Sequence, residues 1–125
     1  MTPTNFSTCE LCAELSGSPS RFSSIYSGTL DTRIVGGSTN FVVLPSIGQL
    51  GDAHFMIVSR MHETAFTNLR PDLRHELLVL LCHARRWLKA KVGGHQIVFE
   101  NGDPRGLGRM NCSISHLHVH LVDQI

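Results

Sequence analysis

The strongest constraint on the fold is a run near the C-terminal end, HLHVHLV at 116–122, in which histidines alternate with aliphatic residues. In a β-strand, residues two apart point to the same face, so His116, His118 and His120 form one row and the aliphatic side chains face the other way. We therefore predict a strand with one face in the core and the other at a site of chemistry. Because imidazole titrates near neutral pH, the row can supply metal ligands, a nucleophile or a proton donor.

The length and charge of the chain restrict the classes of protein it can be. The 125 residues suit a single domain, 1–125. The chain ends directly after the histidine strand, so we expect it to lack a short C-terminal extension. Charged residues make up 17% of the sequence, which leaves neutral surface for contact with a second copy, and we expect a homodimer. The net charge of +1 argues against bulk binding of nucleic acid or of a membrane surface.

The N-terminal segment and the cysteines bear on the compartment. The chain opens MTPTNFS, without a basic region followed by an apolar run, and contains no stretch of 18 consecutive apolar residues. Its 4 cysteines are not spaced like a disulfide framework. We expect a soluble cytoplasmic protein with a thiolate pair at Cys9 and Cys12 and free thiols at Cys82 and Cys112.

The C-x-x-C at Cys9 and Cys12 supplies half of a tetrahedral zinc site. No second C-x-x-C follows, so the missing ligands have to come from elsewhere, with histidine the first candidate. A thioredoxin-like redox pair is the alternative, although such a pair is expected to follow a strand and open a long helix.

Hydrophobic periodicity predicts an α+β fold. Strands are predicted at 21–27, 41–44, 54–59 and 94–100, with a short extended piece at 32–35, in addition to the histidine strand. The runs at 41–44 and 54–59 are expected to pair as antiparallel neighbours. Apolar residues then recur at helical spacing from Pro71 to the Gly93-Gly94 pair, which predicts a long amphipathic helix against one face of the sheet. A glycine-rich loop follows at 101–110.

The histidine run with apolar intervening residues resembles the motif of the histidine triad (HIT) superfamily of nucleotide hydrolases and transferases. The resemblance extends along the chain, to the C-x-x-C, HFMIVSRMH at 54–62, the long helix, FENG at 99–102 and the serine three residues before His116. It implies a HIT-like fold, an antiparallel sheet of about five strands with one long helix.

The resemblance also implies residue roles in an enzyme that acts on the α-phosphate of a purine nucleotide ester, anhydride or phosphoramidate. His118 takes the place of the family's nucleophile, which forms a nucleotidyl-histidine intermediate. His120 and His54 take places that donate to the phosphate oxygens. Ser113 matches a position near the leaving group.

Further positions follow from the same resemblance. Ser46 stands where relatives bind the ribose hydroxyls, and Asn101 is favoured over the acidic Glu100 beside the nucleotide. Members with the N-terminal C-x-x-C use it with two histidines to hold a structural zinc. The match gives a closed set of ligands: Cys9, Cys12, His62 and His116.

Some departures from the family pattern leave other interpretations open. The loop at 102–112 is longer than in compact members and lacks their Gly-Gln-Ser ending, so the substrate is not defined. One alternative is a galactose-1-phosphate uridylyltransferase-like enzyme, but such enzymes typically have glutamine at the position of His120, so His120 favours a hydrolase. Two further alternatives are a non-catalytic nucleotide-binding protein and a hydrolase whose catalytic metal is held jointly by the three histidines of the run.

Overall fold

One antiparallel sheet and one long helix form the framework of the chain. The computed structural model describes residues 9–18, 20, 33–46, 53–100 and 116–123. In chain order the elements are α1 (Glu10–Leu15), β1 (Gly36–Gly37), β2 (Phe41–Pro45), β3 (His54–Ser59), a 3₁₀ turn (Phe66–Asn68), α2 (Pro71–Val92), β4 (Gln96–Glu100) and β5 (His118–Asp123). Among these residues the sheet has five strands in the order β1-β2-β3-β5-β4, all antiparallel. The predicted α+β architecture is confirmed, while the strand predicted at 21–27 and the loop at 101–110 lie outside the described residues.

The two aliphatic runs pair as predicted. β2 and β3 are antiparallel neighbours, with Val42 opposite Val58 and Val43 opposite Ile57. All four of these side chains are buried, because β2 and β3 are covered on both faces. β5 then pairs with β3 on one side and β4 on the other, which brings the histidine strand into the middle of the sheet.

Helix α2 begins and ends where the sequence predicts. Pro71 occupies its first turn, where a missing N–H costs nothing, and Gly93 ends it with a φ of 70°, a conformation that side chains disfavour. The helix buries Leu77 and Leu88 against the sheet, and its face of the core also contains Leu117 and Val119 of the histidine run. The prediction that the aliphatic side of that run lies in the core is confirmed.

Glu76 ties α2 to the turn between β1 and β2. Its carboxylate accepts hydrogen bonds from the backbone N–H of Asn40 at 2.7 Å, from the Asn40 amide at 2.8 Å and from the Ser38 hydroxyl. Burial alone would raise the pKa of Glu76, but these hydrogen bonds outweigh it and the pKa lies below its usual value. The carboxylate is therefore held in its charged form where the helix meets the sheet.

The short helix α1 packs on the opposite face of the sheet. Cys9 is its N-cap, and Leu11 is buried with Val42, Met56 and other apolar residues of β2 and β3. Glu14 of α1 forms a bidentate ion pair with Arg33, with N···O distances of 2.7 and 2.8 Å. This helix carries both cysteines of the C-x-x-C, so its attachment to the sheet positions both thiols.

The predicted row of three histidines is broken at its first member. β5 begins at His118, so His116 lies before the strand. The reason is that the Leu117 N–H donates to the Glu63 carbonyl at 2.6 Å, which turns the backbone toward the segment after β3. His116 consequently has different neighbours from His118 and His120.

An apolar groove of about 410 Å³ lies between α2 and the sheet, on the sheet face opposite the side chains of His118 and His120. Val43, Phe55, Leu80 and Trp87 are among its lining residues, and His83 is the one ionisable group of its described lining. Ligand sites usually combine apolar walls with several convergent polar groups, so the groove is a weaker candidate for a site than the face that carries His118 and His120.

Within the described part of the chain, no helix is long and apolar enough to span a membrane.

Candidate functional site

Three histidines gather on the sheet face opposite α2. His118 and His120 point to this face from β5, where His120 lies opposite Met56 of the neighbouring β3. His54 begins β3, and its position is fixed by two hydrogen bonds between Ala53 and Asp123, at 2.8 and 3.0 Å. The pairing of β3 with β5 thus brings together residues that are 64 or more positions apart in sequence.

His118 is held in one tautomer. It is 4% exposed, and its Nδ1 lies 2.8 Å from the His116 carbonyl oxygen. A carbonyl oxygen only accepts, so Nδ1 carries a proton, and in the neutral ring the lone pair lies on Nε2. In that form Nε2 is the nitrogen that can bind a metal, a proton or an electrophile.

His120 and His54 form a hydrogen-bonded pair beside His118. His54 Nε2 lies 2.8 Å from His120 Nδ1, and the ring centroids of His118 and His120 are 4.9 Å apart. Burial, reinforced by His118 and His54, lowers the pKa of His120 to about 4, and burial also lowers the pKa of His54. Both rings are neutral at pH 7, so each has one N–H to donate and the pair shares one of them.

Phe99 supports this pair from β4. Its ring stacks on His120 with centroids 4.6 Å apart and an interplanar angle of 13°. The strand register places the two residues opposite each other. The sequence assigned Phe99 no role of its own, and its place two residues after Ile97 on the same strand face gives only a weak signal that it contacts the histidines.

The four predicted metal ligands meet at a separate cluster between α1, β3 and the start of β5. One ligand atom from each of Cys9, Cys12, His62 and His116 lies within 4.8 Å of all the others. Around a tetrahedral zinc, with bonds of about 2.3 Å to sulfur and 2.0–2.1 Å to nitrogen, a sulfur and a nitrogen lie about 3.5 Å apart. Three of the four S···N pairs in the cluster lie at 3.2, 3.4 and 3.4 Å. The donor set and its dimensions therefore fit a tetrahedral metal ion.

Both the tautomer of His116 and the thiol chemistry favour such an ion. His116 Nε2 donates to the Ser59 carbonyl at 2.6 Å, which leaves the Nδ1 lone pair facing the two sulfurs. Burial and the neighbouring Cys9 thiol raise the pKa of Cys12 to about 12. A cation would offset the cost of bringing the thiols together as thiolates. Sequence reasoning missed Ser59, because any residue supplies a carbonyl and no side-chain signal marks this role.

Of the three other predicted site residues, only Ser46 lies among the described residues. Ser46 follows β2, half-buried, and its N–H donates to the His54 carbonyl at 2.9 Å, so it lies next to the histidine pair. Ser113 and Asn101 lie outside the described residues. Glu100 faces away from the histidines, and its carboxylate accepts from the Phe66 N–H at 2.8 Å.

Comparison with solved structures shows which proteins share this fold. A hypothetical protein from Leishmania major matches with a TM-score of 0.71 and 17% identity, over 94% of this chain and 74% of that one. A HIT family hydrolase from Legionella pneumophila matches with a TM-score of 0.59 and 19% identity, over 84% and 92% of the two chains. A zinc-bound histidine triad family protein from Mycobacterium smegmatis matches with a TM-score of 0.63 and 16% identity, over 83% and 73%.

The fold is that of the histidine triad proteins, as the resemblance implied. No protein-family model matches the sequence, and no curated protein sequence matches it. At such low identity the likeness shows the architecture alone.

Proposed function

We propose that the protein is a nucleotidyl hydrolase or transferase that acts on the α-phosphate of a purine nucleotide ester, anhydride or phosphoramidate. The observation that carries the proposal is the hydrogen bond from His118 Nδ1 to the His116 carbonyl, which in the neutral ring leaves the lone pair on Nε2, beside the His54–His120 pair. A nucleophilic imidazole needs this arrangement. The relatives named above as HIT proteins support the class of enzyme.

The proposed reaction has two steps. His118 Nε2 attacks the α-phosphorus, a P–N bond forms, and the bond from phosphorus to the leaving group breaks with its electron pair going to that group. The His54–His120 pair lines the phosphate, and the one N–H that the two rings do not share donates to a phosphate oxygen. Water or another acceptor then attacks phosphorus and releases its proton to solvent, and the P–N bond to His118 breaks with its electron pair returning to Nε2, which regenerates the free imidazole.

The proposal includes three residues that contact the nucleotide or its leaving group. Ser46 is proposed to bind the ribose hydroxyls because it lies next to His54. Asn101 and Ser113 are proposed, from the resemblance alone, for the nucleotide and the leaving group. A cytoplasmic location, consistent with the free thiols of Cys9, Cys12 and Cys82 among the described residues, belongs to the same proposal.

The experiment compares His118→Gly with His95→Gly, because His95 is exposed and lies outside a helix or strand. Adenosine phosphoramidate and a dinucleoside polyphosphate serve as substrates. We expect His118→Gly to lose more than about 1,000-fold in kcat/KM, since it removes the nucleophile, and His95→Gly to keep the wild-type rate. Equal rates for both variants, or no turnover by wild type across a nucleotide panel, would reject the enzyme and leave the non-catalytic nucleotide-binding alternative.

We also propose that the Cys9, Cys12, His62 and His116 cluster holds a structural zinc. Four protein ligands fill a tetrahedral ion, so bound zinc would brace α1 against the sheet and would not activate water. We expect one zinc per chain in wild type and in His120→Gly, and less in Cys9→Ser, by elemental analysis. A loss of zinc from His120→Gly would instead favour the alternative in which the three histidines of the run share a catalytic metal.

A homodimer completes the proposal. β4 is an edge strand of the sheet that the described residues form, and two of its aliphatic side chains are exposed, Ile97 at 48% and Val98 at 37%. An exposed edge strand with apolar residues is a template for pairing with a second strand. We propose that two copies associate along β4.

A further inference from the structure

Asp123, the last residue of β5, is hydrogen-bonded to the residue that precedes His54. Its carboxylate Oδ1 accepts the Ala53 N–H at 2.8 Å, and its own backbone N–H donates to the Ala53 carbonyl at 3.0 Å. In a regular antiparallel pair the backbone carbonyl of Asp123 would accept the Ala53 N–H. Here the side-chain oxygen takes that place, so this bond depends on which residue occupies position 123.

The contact at Ala53 lies directly beside the contact between the two histidines of the pair. The His54 ring follows Ala53 by one peptide bond, and its Nε2 lies 2.8 Å from Nδ1 of His120. His120 is on the same strand as Asp123, three residues before it. The two contacts and the short pieces of β3 and β5 between them form a closed ring. A change at the Ala53–Asp123 contact is therefore passed to the distance between the two imidazoles.

The backbone of His54 is held separately on its other side. The Ser46 N–H donates to the His54 carbonyl at 2.9 Å, and from His54 onward β3 is in register with β5. Ala53 lies just before the strand, and its N–H and carbonyl are held by Asp123. Removal of the Asp123 carboxylate consequently loosens the chain on the N-terminal side of His54 and leaves the rest of β3 paired.

We infer that Asp123 is a positioning residue, which holds His54 where its ring shares a proton with His120. The inference rests on the proposed function, in which this pair lines the phosphate, and it adds a residue to that function. Asp123 acts on the backbone before His54, and through His54 on the phosphate. Because a misplacement of about 1 Å can lower a rate on the order of 100-fold, a loose His54 should lower kcat.

The test compares two substitutions of Asp123 in the full chain. Asp123→Ala removes the acceptor, and kcat should fall about tenfold or more while KM changes little. Asp123→Asn removes the charge but keeps an oxygen that accepts the Ala53 N–H, so it should retain the wild-type kcat. Asp72→Ala is the control, because it removes an exposed carboxylate at the start of α2, far along the chain from both histidines.

A second measurement reads the position of His54 without substrate. A proton shared between two imidazole nitrogens gives a scalar coupling between the two ¹⁵N nuclei, which NMR of the labelled protein detects. We expect this coupling between His54 and His120 in wild type, in Asp123→Asn and in Asp72→Ala, and its loss in Asp123→Ala. A substitution that only destabilises the fold would leave the coupling intact in the folded molecules.

Three results would overturn the inference: a wild type without the coupling, an Asp123→Ala protein that keeps it, or an Asp123→Asn protein that loses it as fully as Asp123→Ala. If Asp123→Ala does not fold, Asp123→Ser replaces it, since the serine hydroxyl falls one bond short of the Ala53 N–H and the coupling should again be lost. Absence of turnover in wild type would reject the proposed function instead, and the coupling would still decide the role of Asp123.

Discussion

His120 is an imidazole whose chemistry is set by its neighbours. Phe99 covers one face of its ring, His54 occupies Nδ1, and the edge of His118 lies close by. Its low pKa has burial as the main cause, so the neighbouring rings act chiefly by excluding water. A neutral His120 at neutral pH places no positive charge beside the proposed nucleophile.

Phe99→Ala should expose His120 and raise its pKa from about 4 toward the ordinary 6.5. The check is an NMR titration of the His120 ring. Ile97→Ala is the matched control, because Ile97 faces the same side of β4 but pairs with Val122. A pKa for His120 that is the same in both variants would contradict the role assigned to Phe99.

The same pKa has a consequence for stability. A histidine whose pKa is lower in the folded than in the unfolded state takes up its proton more readily once unfolded. The folded state therefore loses stability as the pH falls from about 6.5 toward 4, and the contribution of His120 is fully retained above that range. Phe99→Ala should weaken this part of the pH dependence.

At the level of individual side chains, the sequence predicted the histidines and cysteines better than their supports. Alternation and spacing identify side chains that carry chemistry, and the cluster of Cys9, Cys12, His62 and His116 does assemble. The supports act through a backbone carbonyl at Ser59 and a ring stack at Phe99. Neither requires a residue pattern that periodicity can detect.

Among the elements, α1 depends most on long-range contacts. It has six residues, too few to be stable alone, and it is attached by the packing of Leu11 and by the ion pair of Glu14 with Arg33. The side chains of that pair are only 10% and 6% exposed, and Arg33 also donates to the Pro45 carbonyl at 2.6 Å. The pair thus joins the helix that carries the cysteines to the end of β2.

Glu14→Ala should destabilise the fold by roughly 3 kcal/mol, because it leaves the buried Arg33 guanidinium without its carboxylate. Asp72→Ala is the control, since Asp72 pairs with Arg70 on the surface, where both side chains are at least 70% exposed, and it should destabilise the fold far less. Urea unfolding of the two variants measures the difference. Equal losses would mean that the buried pair contributes no more than the surface pair.

The bounds of α2 and the positions of three strands were predictable because they depend on local sequence signals. Pro71 and Gly93 are local signals, and α2 runs between them. β2, β3 and β4 follow from compact apolar runs. The attachment of α1 was not predictable, because it depends on Arg33, a residue that is distant in sequence and has no distinctive spacing from Glu14.

For the whole molecule, the central position of β5 determines how the parts combine. The strand has α2 on one face and the histidine cluster on the other, and it lies beside the exposed edge β4. The fold class followed from the sequence because one long helix among several strands has few compact arrangements. The strand order did not, because it depends on pairings between distant segments.

Val98→Lys should convert a dimer into a monomer, because it places a charge on the exposed edge β4. Val35→Lys is the control, since Val35 is 62% exposed next to β1, at the opposite edge of the sheet. Sedimentation at micromolar concentration should show dimers for wild type and Val35→Lys and monomers for Val98→Lys. A wild-type monomer would reject the homodimer, and a dimeric Val98→Lys would reject the interface along β4.

The central claim is that His118 Nε2 attacks phosphorus, and a covalent adduct tests it most directly. Wild-type protein is mixed with a slowly hydrolysed adenine nucleotide ester, quenched within one turnover, digested and mapped by mass spectrometry under conditions that preserve P–N bonds. We predict a nucleotidyl group on the peptide that contains His118, and on no peptide of His118→Gly. Turnover of substrate by wild type with no adduct on His118, or with the adduct on another residue, would contradict the account.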